Sequence, residues 1–392
     1  MIRGDNTAAM MREQVMLAGY TTLGLGGPAT RFIEVGSDDQ VVAAVRGADA
    51  DGEPVLVLGG GSNLVVADAG FPGTVVHVAT RGVGITAADD GVVVAVAAGE
   101  DWDSLVQRCL AEGLSGVECL SGIPGLAGAT PIQNVGAYGQ DVSETIIAVR
   151  AYDRLLDTVV ELASADCGFG YRTSAFKRSA EAGRGAAGDG RGGASRGAAM
   201  NPAAATGRFV VLGVTFRLAR DPLSAPVRYG ELAKALGVGE GGRVPLGDAR
   251  AAVLALRRGK GMVLDPADPD TRSAGSFFTN PVLGPRQFAE VKRKAAARSG
   301  KAGQQISVPH FPAADGQVKI SAAWLIEQAG FSKGYTEDGR ARISSKHTLA
   351  LTNPGGASTA SLVRLAGEIR NGVRQAFGVE LANEPVLVGA AL

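Results

Sequence analysis

Cysteine is scarce in this chain: Cys109, Cys119 and Cys167 are the only three in 392 residues. Their wide spacing makes neither a disulfide framework nor a CxxC ligand pair. Histidine is as rare, and His77, His310 and His347 never fall at HxxxH or HExxH spacing, so a structural metal is not expected. Net charge is absent as well. Lys+Arg 39 balance Asp+Glu 39 with no long basic run, which removes the electrostatic footprint that a phosphate backbone needs and makes nucleic acid an unexpected partner. No apolar stretch approaches the ~18 residues of a membrane helix. The longest clear run, 92–98, has strand length, and Asp5 and Glu13 stand where a signal peptide would be apolar. With 45% hydrophobic residues, the expectation is a cytoplasmic protein of two or three globular domains, off the membrane, with substantial cores.

What the chain has in excess is glycine, 57 residues, which collects where backbone turns tightly or must approach a ligand. In residues 178–208, 18 of 31 are Gly or Ala and large apolar side chains are nearly absent. Such a segment cannot offset its ordering entropy and reads as a disordered insertion in a surface loop, with a domain linker as the alternative. Before it, strand patterns at 55–58, 75–78, 92–96 and 146–149 alternate with glycine turns. One helix interrupts them: residues 101–113 place Trp102, Leu105, Val106, Cys109 and Leu110 on one face and stop at Gly113. After a strand pattern at 209–212, helical patterns dominate at 231–236, 246–258, 288–298, 321–329 and 359–377, so a boundary is expected near residue 220. A last strand-like run, 385–388, has the length to return to a sheet elsewhere.

Three glycine-rich segments raise the question of a phosphate. Gly24-Leu25-Gly26-Gly27-Pro28-Ala29 matches a loose GxGxxG, but Arg31-Phe32-Ile33-Glu34-Val35 alternates like a strand, so the helix that would hold a pyrophosphate is missing. Leu58-Gly59-Gly60-Gly61-Ser62-Asn63 directly follows a buried strand. It reads either as an anion nest of converging N–H groups or as a flexible hairpin loop. The segment from Ser121 to Gly139 is long, irregular and nearly uncharged. It fits a surface laid against a flat apolar ring with backbone donors at the ring edges, as a flavin would require, or a buried crossover.

At this point the residues resemble the UDP-N-acetylenolpyruvoylglucosamine reductase family. The resemblance rests on Gly59-Gly60-Gly61-Ser62-Asn63, on Ile123-Pro124-Gly125 through Gln133-Asn134-Val135-Gly136-Ala137-Tyr138-Gly139, on Phe169-Gly170-Tyr171-Arg172-Thr173-Ser174-Ala175-Phe176-Lys177, on Ala274-Gly275-Ser276-Phe277-Phe278-Thr279-Asn280-Pro281, and on the stretch from Lys319 through Gln328 to Glu384. The motifs run in family order over nearly the whole chain. The resemblance implies an α+β protein with the two-lobed FAD-binding fold of the vanillyl-alcohol-oxidase (PCMH) type and a C-terminal α+β substrate-binding domain. Residues 1–70 would be the first lobe, rejoined by 379–392; residues 71–220 the second, and 221–378 the substrate domain. NADPH would reduce a noncovalent FAD, and the enolpyruvyl UDP-sugar would then occupy the same cleft of a monomer, in a step of peptidoglycan precursor synthesis. Implied FAD contacts are Gly59, Gly60, Gly61, Ser62, Asn63, Ile123, Pro124, Gly125, Gly128, Ala129, Pro131, Gln133, Asn134, Gly136 and Tyr138. A rival, an oxidase of the same fold, commonly attaches flavin through His or Cys, and no His lies in the glycine segments.

The chemistry assigns roles. Hydride delivered to an enolpyruvyl ether pushes charge onto the carbon beside the carboxylate, which must be stabilised and then protonated. Arg172 offers a permanent fork-shaped cation for that carboxylate. Glu384, if protonated, shares a hydrogen bond with the same oxygen. Glu380 is its rival, and Asn383 stands where the family has Pro. Ser276 matches the family's proton donor, against a serine in a tight turn as the bland reading. Tyr138, Arg172, Asn280 and Gln328 match substrate contacts. Lys260 matches a pyrophosphate contact or is the cationic end of a helix. Tyr229 matches the tyrosine on a loop that covers the nucleotide in one subgroup.

Overall fold

The computed structural model describes residues 10–185, 206–298 and 307–392. They form two compact units. The first takes in Pro28–Gly61 and Phe71–Gly259; the second joins Leu17–Gly27 and Ser62–Gly70 to Lys260–Leu392.

In the first unit a four-stranded sheet runs in the order Met10–Met16, Pro28–Val35, Phe71–Val78, Val55–Leu58, the last three parallel. Parallel neighbours need a crossover, and the helix Asp38–Ala50 supplies it. This helix corrects the expectation of a single helix among the early strands. Its signals are in the sequence: Ser37 accepts from the Gln40 amide, the Gln40 side chain accepts from Gly36, and Val41, Val45 and Ala48 line the buried face.

A second, antiparallel sheet runs Thr158–Ala163, Ile146–Asp153, Phe209–Arg220, Gly91–Ala97, Val83–Ala88. The helix Trp102–Ala111 starts at Asp101, whose side chain accepts from Ser104, and its face of Trp102, Leu105, Val106 and Cys109 joins one core with Val92, Val94 and Phe216. Phe32-Ile33 lies in a strand, so Gly24–Ala29 holds no phosphate-binding helix. Burial pushes the thiols of Cys109 and Cys167 up to about 11 and that of Cys119 to about 12, which leaves none a nucleophile at neutral pH.

The expected disorder over 178–208 is corrected at both ends. The helix Ala175–Gly185 runs into it. Its start is anchored by Phe176, which is 2% exposed, and by the Ser174 hydroxyl, which accepts from the Lys177 amide at 3.2 Å. At the far end Thr206 accepts from the Val57 amide, and Arg208 grips Asp153 through three N–H···O contacts of 2.6–3.0 Å. Residues 186–205 of that expectation lie outside the described residues.

Asp153 is 1% exposed. Burial works to raise its pKa, yet the Arg208 side chain and the amides of Leu156 and Leu155 hold its carboxyl below the usual range. Asp153→Asn is therefore expected to cost about 2 kcal/mol of stability, read as a lower thermal midpoint at pH 7. A depressed carboxyl contributes fully above its ordinary value of 3.8 and loses that contribution as pH falls through the depressed one. The gap between parent and variant should narrow in that acid window; a gap constant with pH would contradict the assignment.

The second unit is built around the helix Thr359–Phe377, which buries Leu362, Leu365, Ala366, Ile369, Val373 and Phe377 at spacings of one helical face, beside the helices Pro285–Arg298 and Ala322–Gln328. The strand Ser273–Ser276 pairs with Ala350–Thr352. The strand Val386–Val388 pairs in parallel with Leu64–Val66. Among the described residues no helix is long and apolar enough to cross a membrane.

Candidate active site

Gly59, Gly60 and Gly61 follow the strand Val55–Leu58. A Cβ on Gly60 would meet the Gly125 Cα at 2.8 Å, and one on Gly59 would touch Leu126 at 3.4 Å. Backbone therefore lies on backbone where the second and third glycine segments cross. Gly61 is buried with φ +59, and among the described residues no protein acceptor takes its amide. An N–H group in a glycine loop that has no protein acceptor is the kind of donor that an anion can take.

The third segment turns at Ile123, Pro124 and Gly125. Its entry is tied down by Asp103, which accepts from the Gly122 amide at 2.6 Å and from Arg250 at 2.7 and 2.8 Å. Gly128 and Ala129 form a short 3-10 turn, and Pro131 and Gln133 the helical turn Thr130–Gln133. Gly128 owes its identity to packing, since a Cβ there would lie 2.4 Å from the Ala98 Cβ. Asn134 is left-handed (φ 45) and spends both ends of its side chain internally, donating to Gly170 and accepting from Ser143. Its backbone is engaged as well, the amide donating to the Pro131 carbonyl at 3.4 Å and the carbonyl accepting from Arg172 at 3.2 Å.

Arg172 sits in the tight turn 170–173 with φ 52, a conformation that costs a non-glycine residue free energy and persists only where the surroundings enforce it. Its guanidinium donates to the carbonyls of Asn134 at 3.2 Å and Gly136 at 2.7 Å. The Lys177 ammonium donates to the Arg172 carbonyl and to Gln133, both at 3.0 Å. Gln133, Asn134 and Gly136 are thus tied to Arg172 and Lys177 by hydrogen bonds. Lys177 was in the quoted motif but not among the expected site residues. Its signal is a cation on the first turn of the helix that follows Arg172. Tyr138 (φ 50) meets Tyr229 edge to face, ring centroids 5.6 Å apart.

In the second unit Gly275 (φ +74) leads into Ser276, half-buried and paired with Ala350. The Glu384 amide donates to the Phe277 carbonyl at 2.8 Å and Thr279 to Ala382 at 3.0 Å, so Glu384 lies alongside the backbone next to Ser276. Glu380 is exposed. Asn63 joins the same place, its side chain donating to the Glu384 carbonyl at 3.4 Å and its carbonyl accepting from Val386 at 2.9 Å. Ser62 is half-buried just ahead of it. Asn280 uses its carbonyl oxygen on the Ala322 amide at 2.9 Å. Gln328 is exposed at the end of its helix, and Lys260 immediately follows the helix Leu246–Gly259.

A Gly61 amide without a protein acceptor, glycines with no room for side chains, and buried cysteines fit a noncovalent FAD. Residues 29–162 match the FAD binding domain family, and residues 266–388 match the family described as UDP-N-acetylenolpyruvoylglucosamine reductase, C-terminal domain. The UDP-N-acetylenolpyruvoylglucosamine reductase of Thermobifida fusca is 56% identical over 381 residues, 97% of this chain and 98% of that protein. The one from Streptomyces coelicolor is 55% identical over 377 residues, 96% and 90%. The crystal structure of the Thermus caldophilus reductase superposes with a TM-score of 0.59 at 25% identity, covering 96% of this chain and 99% of that one. Identity of this extent along both chains, with a domain match in each half, means that the chain belongs to the UDP-N-acetylenolpyruvoylglucosamine reductase family.

Proposed function

We infer that this protein reduces UDP-N-acetylglucosamine enolpyruvate to UDP-N-acetylmuramate, a step toward peptidoglycan, with NADPH as reductant and FAD held noncovalently. The observation that carries the reading is 56% identity to a reductase of that name over 97% of the chain.

When bound, the FAD supplies the hydride for the enolpyruvyl double bond. This chain's residues do the rest. The glycine loop through Gly61 and the segment from Ile123 to Tyr138 would hold the cofactor, by pyrophosphate and by ring edge. Arg172, fixed by two carbonyls, would face the substrate carboxylate and stabilise charge developing there. Ser276 would give its Oγ proton to the carbon beside that carboxylate, while Glu384 holds a proton against a carboxylate oxygen. The backbone bond between Glu384 and Phe277 supports that pairing, as does the exposure of Glu380. Tyr138, Tyr229, Lys260, Asn280 and Gln328 would bind the UDP-sugar, and the tyrosine at position 229 supports a place in the subgroup with a substrate-covering loop. Residues 1–70 and 71–220 would serve as cofactor lobes and 221–378 as the substrate domain. NADPH and UDP-sugar would use one site in turn, in a monomer working in the cytoplasm.

The purified protein should be yellow, bleach with NADPH, and recolour with the enolpyruvyl sugar. Heat or acid should release intact FAD, read by chromatography of the supernatant. FMN alone, or flavin left on the peptide, would overturn the cofactor assignment.

A further inference from the structure

Among the described residues Glu118 is the one acidic or basic side chain with 0% exposure, and none of the roles above uses it. Burying a carboxylate is costly unless donors replace its water. Here three do: the Gly116 amide on Oε2 at 2.7 Å, the Gln140 amide group on Oε1 at 2.9 Å, and the Ala225 amide on Oε1 at 2.6 Å. Gln140 in turn accepts from the Cys119 amide at 2.8 Å, which closes a ring around the carboxylate. The donors come from separate stretches of chain. Gln140 lies in the hairpin just beyond Tyr138, and Ala225 lies shortly before Tyr229. Those are the two tyrosines whose rings meet, one of them in a left-handed conformation that the surroundings must hold.

We propose that Glu118 is a positioning residue for substrate affinity: by clamping Gln140 and Ala225 to one carboxylate it sets Tyr229 against Tyr138, without itself touching the UDP-sugar. The proposal rests on the reading above that both tyrosines face the nucleotide sugar.

The test is Glu118→Gln, which keeps the shape but turns an NH2 toward at least one N–H donor. FAD content and the rate of flavin reduction by NADPH should stay within about twofold of the parent. KM for the enolpyruvyl UDP-sugar should rise about tenfold or more, with kcat within about threefold. In a double-mutant cycle with Tyr229→Ala the two effects should not multiply, because Glu118 acts through that tyrosine. An unchanged KM, or full multiplication of the two effects, overturns the proposal. If Glu118→Gln does not load FAD, Glu118→Asp, which keeps the charge at shorter reach, enters the same cycle under the same criteria. Failure of both to load FAD would make Glu118 a residue of the fold alone and equally overturn the proposal. A parent that does not turn over the enolpyruvyl sugar would instead sink the functional reading, which separates the two failures.

Discussion

Ser276→Ala should leave flavin bleaching by NADPH intact and slow recolouring by the enolpyruvyl sugar by roughly 10²-fold or more, the loss typical of a positioned acid. The two half-reactions differ in their need for a proton at the sugar side: the first has none, whereas the second must protonate the carbon beside the carboxylate. The position is suited to the purpose. Left-handed Gly275 turns the chain into Ser276, and Ser276 is then held in register by Ala350 on one side of the ladder, with the next amide, Phe277, donating to Leu349 at 2.7 Å. Removing one oxygen there leaves the backbone bonds in place, so affinity for the UDP-sugar should change little. Stopped-flow recording of each step decides it. Equal slowing of both steps, or of neither, removes Ser276 from the proton-donor role.

Arg172→Lys should slow the same half-reaction by roughly 10²–10³-fold, with FAD content and the NADPH step near parent values. The guanidinium donates to the carbonyls of Asn134 and Gly136 from a planar fork of five N–H donors. A lysine is a point charge on a flexible stem and cannot anchor on both carbonyls while presenting a planar fork. Because neither residue is glycine, the backbone at φ 52 is equally strained in parent and variant, which makes the comparison one of side chains. A loss below about tenfold in single-turnover reoxidation would remove Arg172 as the stabilising cation.

Local pattern made much of the fold legible. The apolar face of 359–377 is the helix Thr359–Phe377 residue for residue, and the run 55–58 is the strand Val55–Leu58. The helix Asp38–Ala50 carries caps at Ser37 and Gln40 whose residue types stand in the sequence, masked by the strand signals on either side. Composition reports what residues 178–185 can bury, not whether a helix that starts at Ala175 with Phe176 buried continues into them. The site was legible as motifs but not as geometry. Nothing near Glu384 in sequence says that its amide binds Phe277, and nothing in Glu118 except a lone charge amid Gly and Val hints at three donors.

The parallel pairing of Leu64–Val66 with Val386–Val388 sets an order of events during synthesis. Asn63 and Glu384, which this pairing draws together, lie 321 residues apart in the chain. At roughly 5–20 residues per second of translation, the strand following the glycine loop waits tens of seconds or more for its partner to leave the ribosome. Over that interval Leu64–Val66 has an unpaired edge, the kind of surface on which nascent chains misassociate. Chains interrupted before residue 384 can never close it, whatever the integrity of their earlier domains. Production of this protein should accordingly suffer from any interruption of synthesis before residues 386–388, the remedy being a chaperone that shields short strand edges.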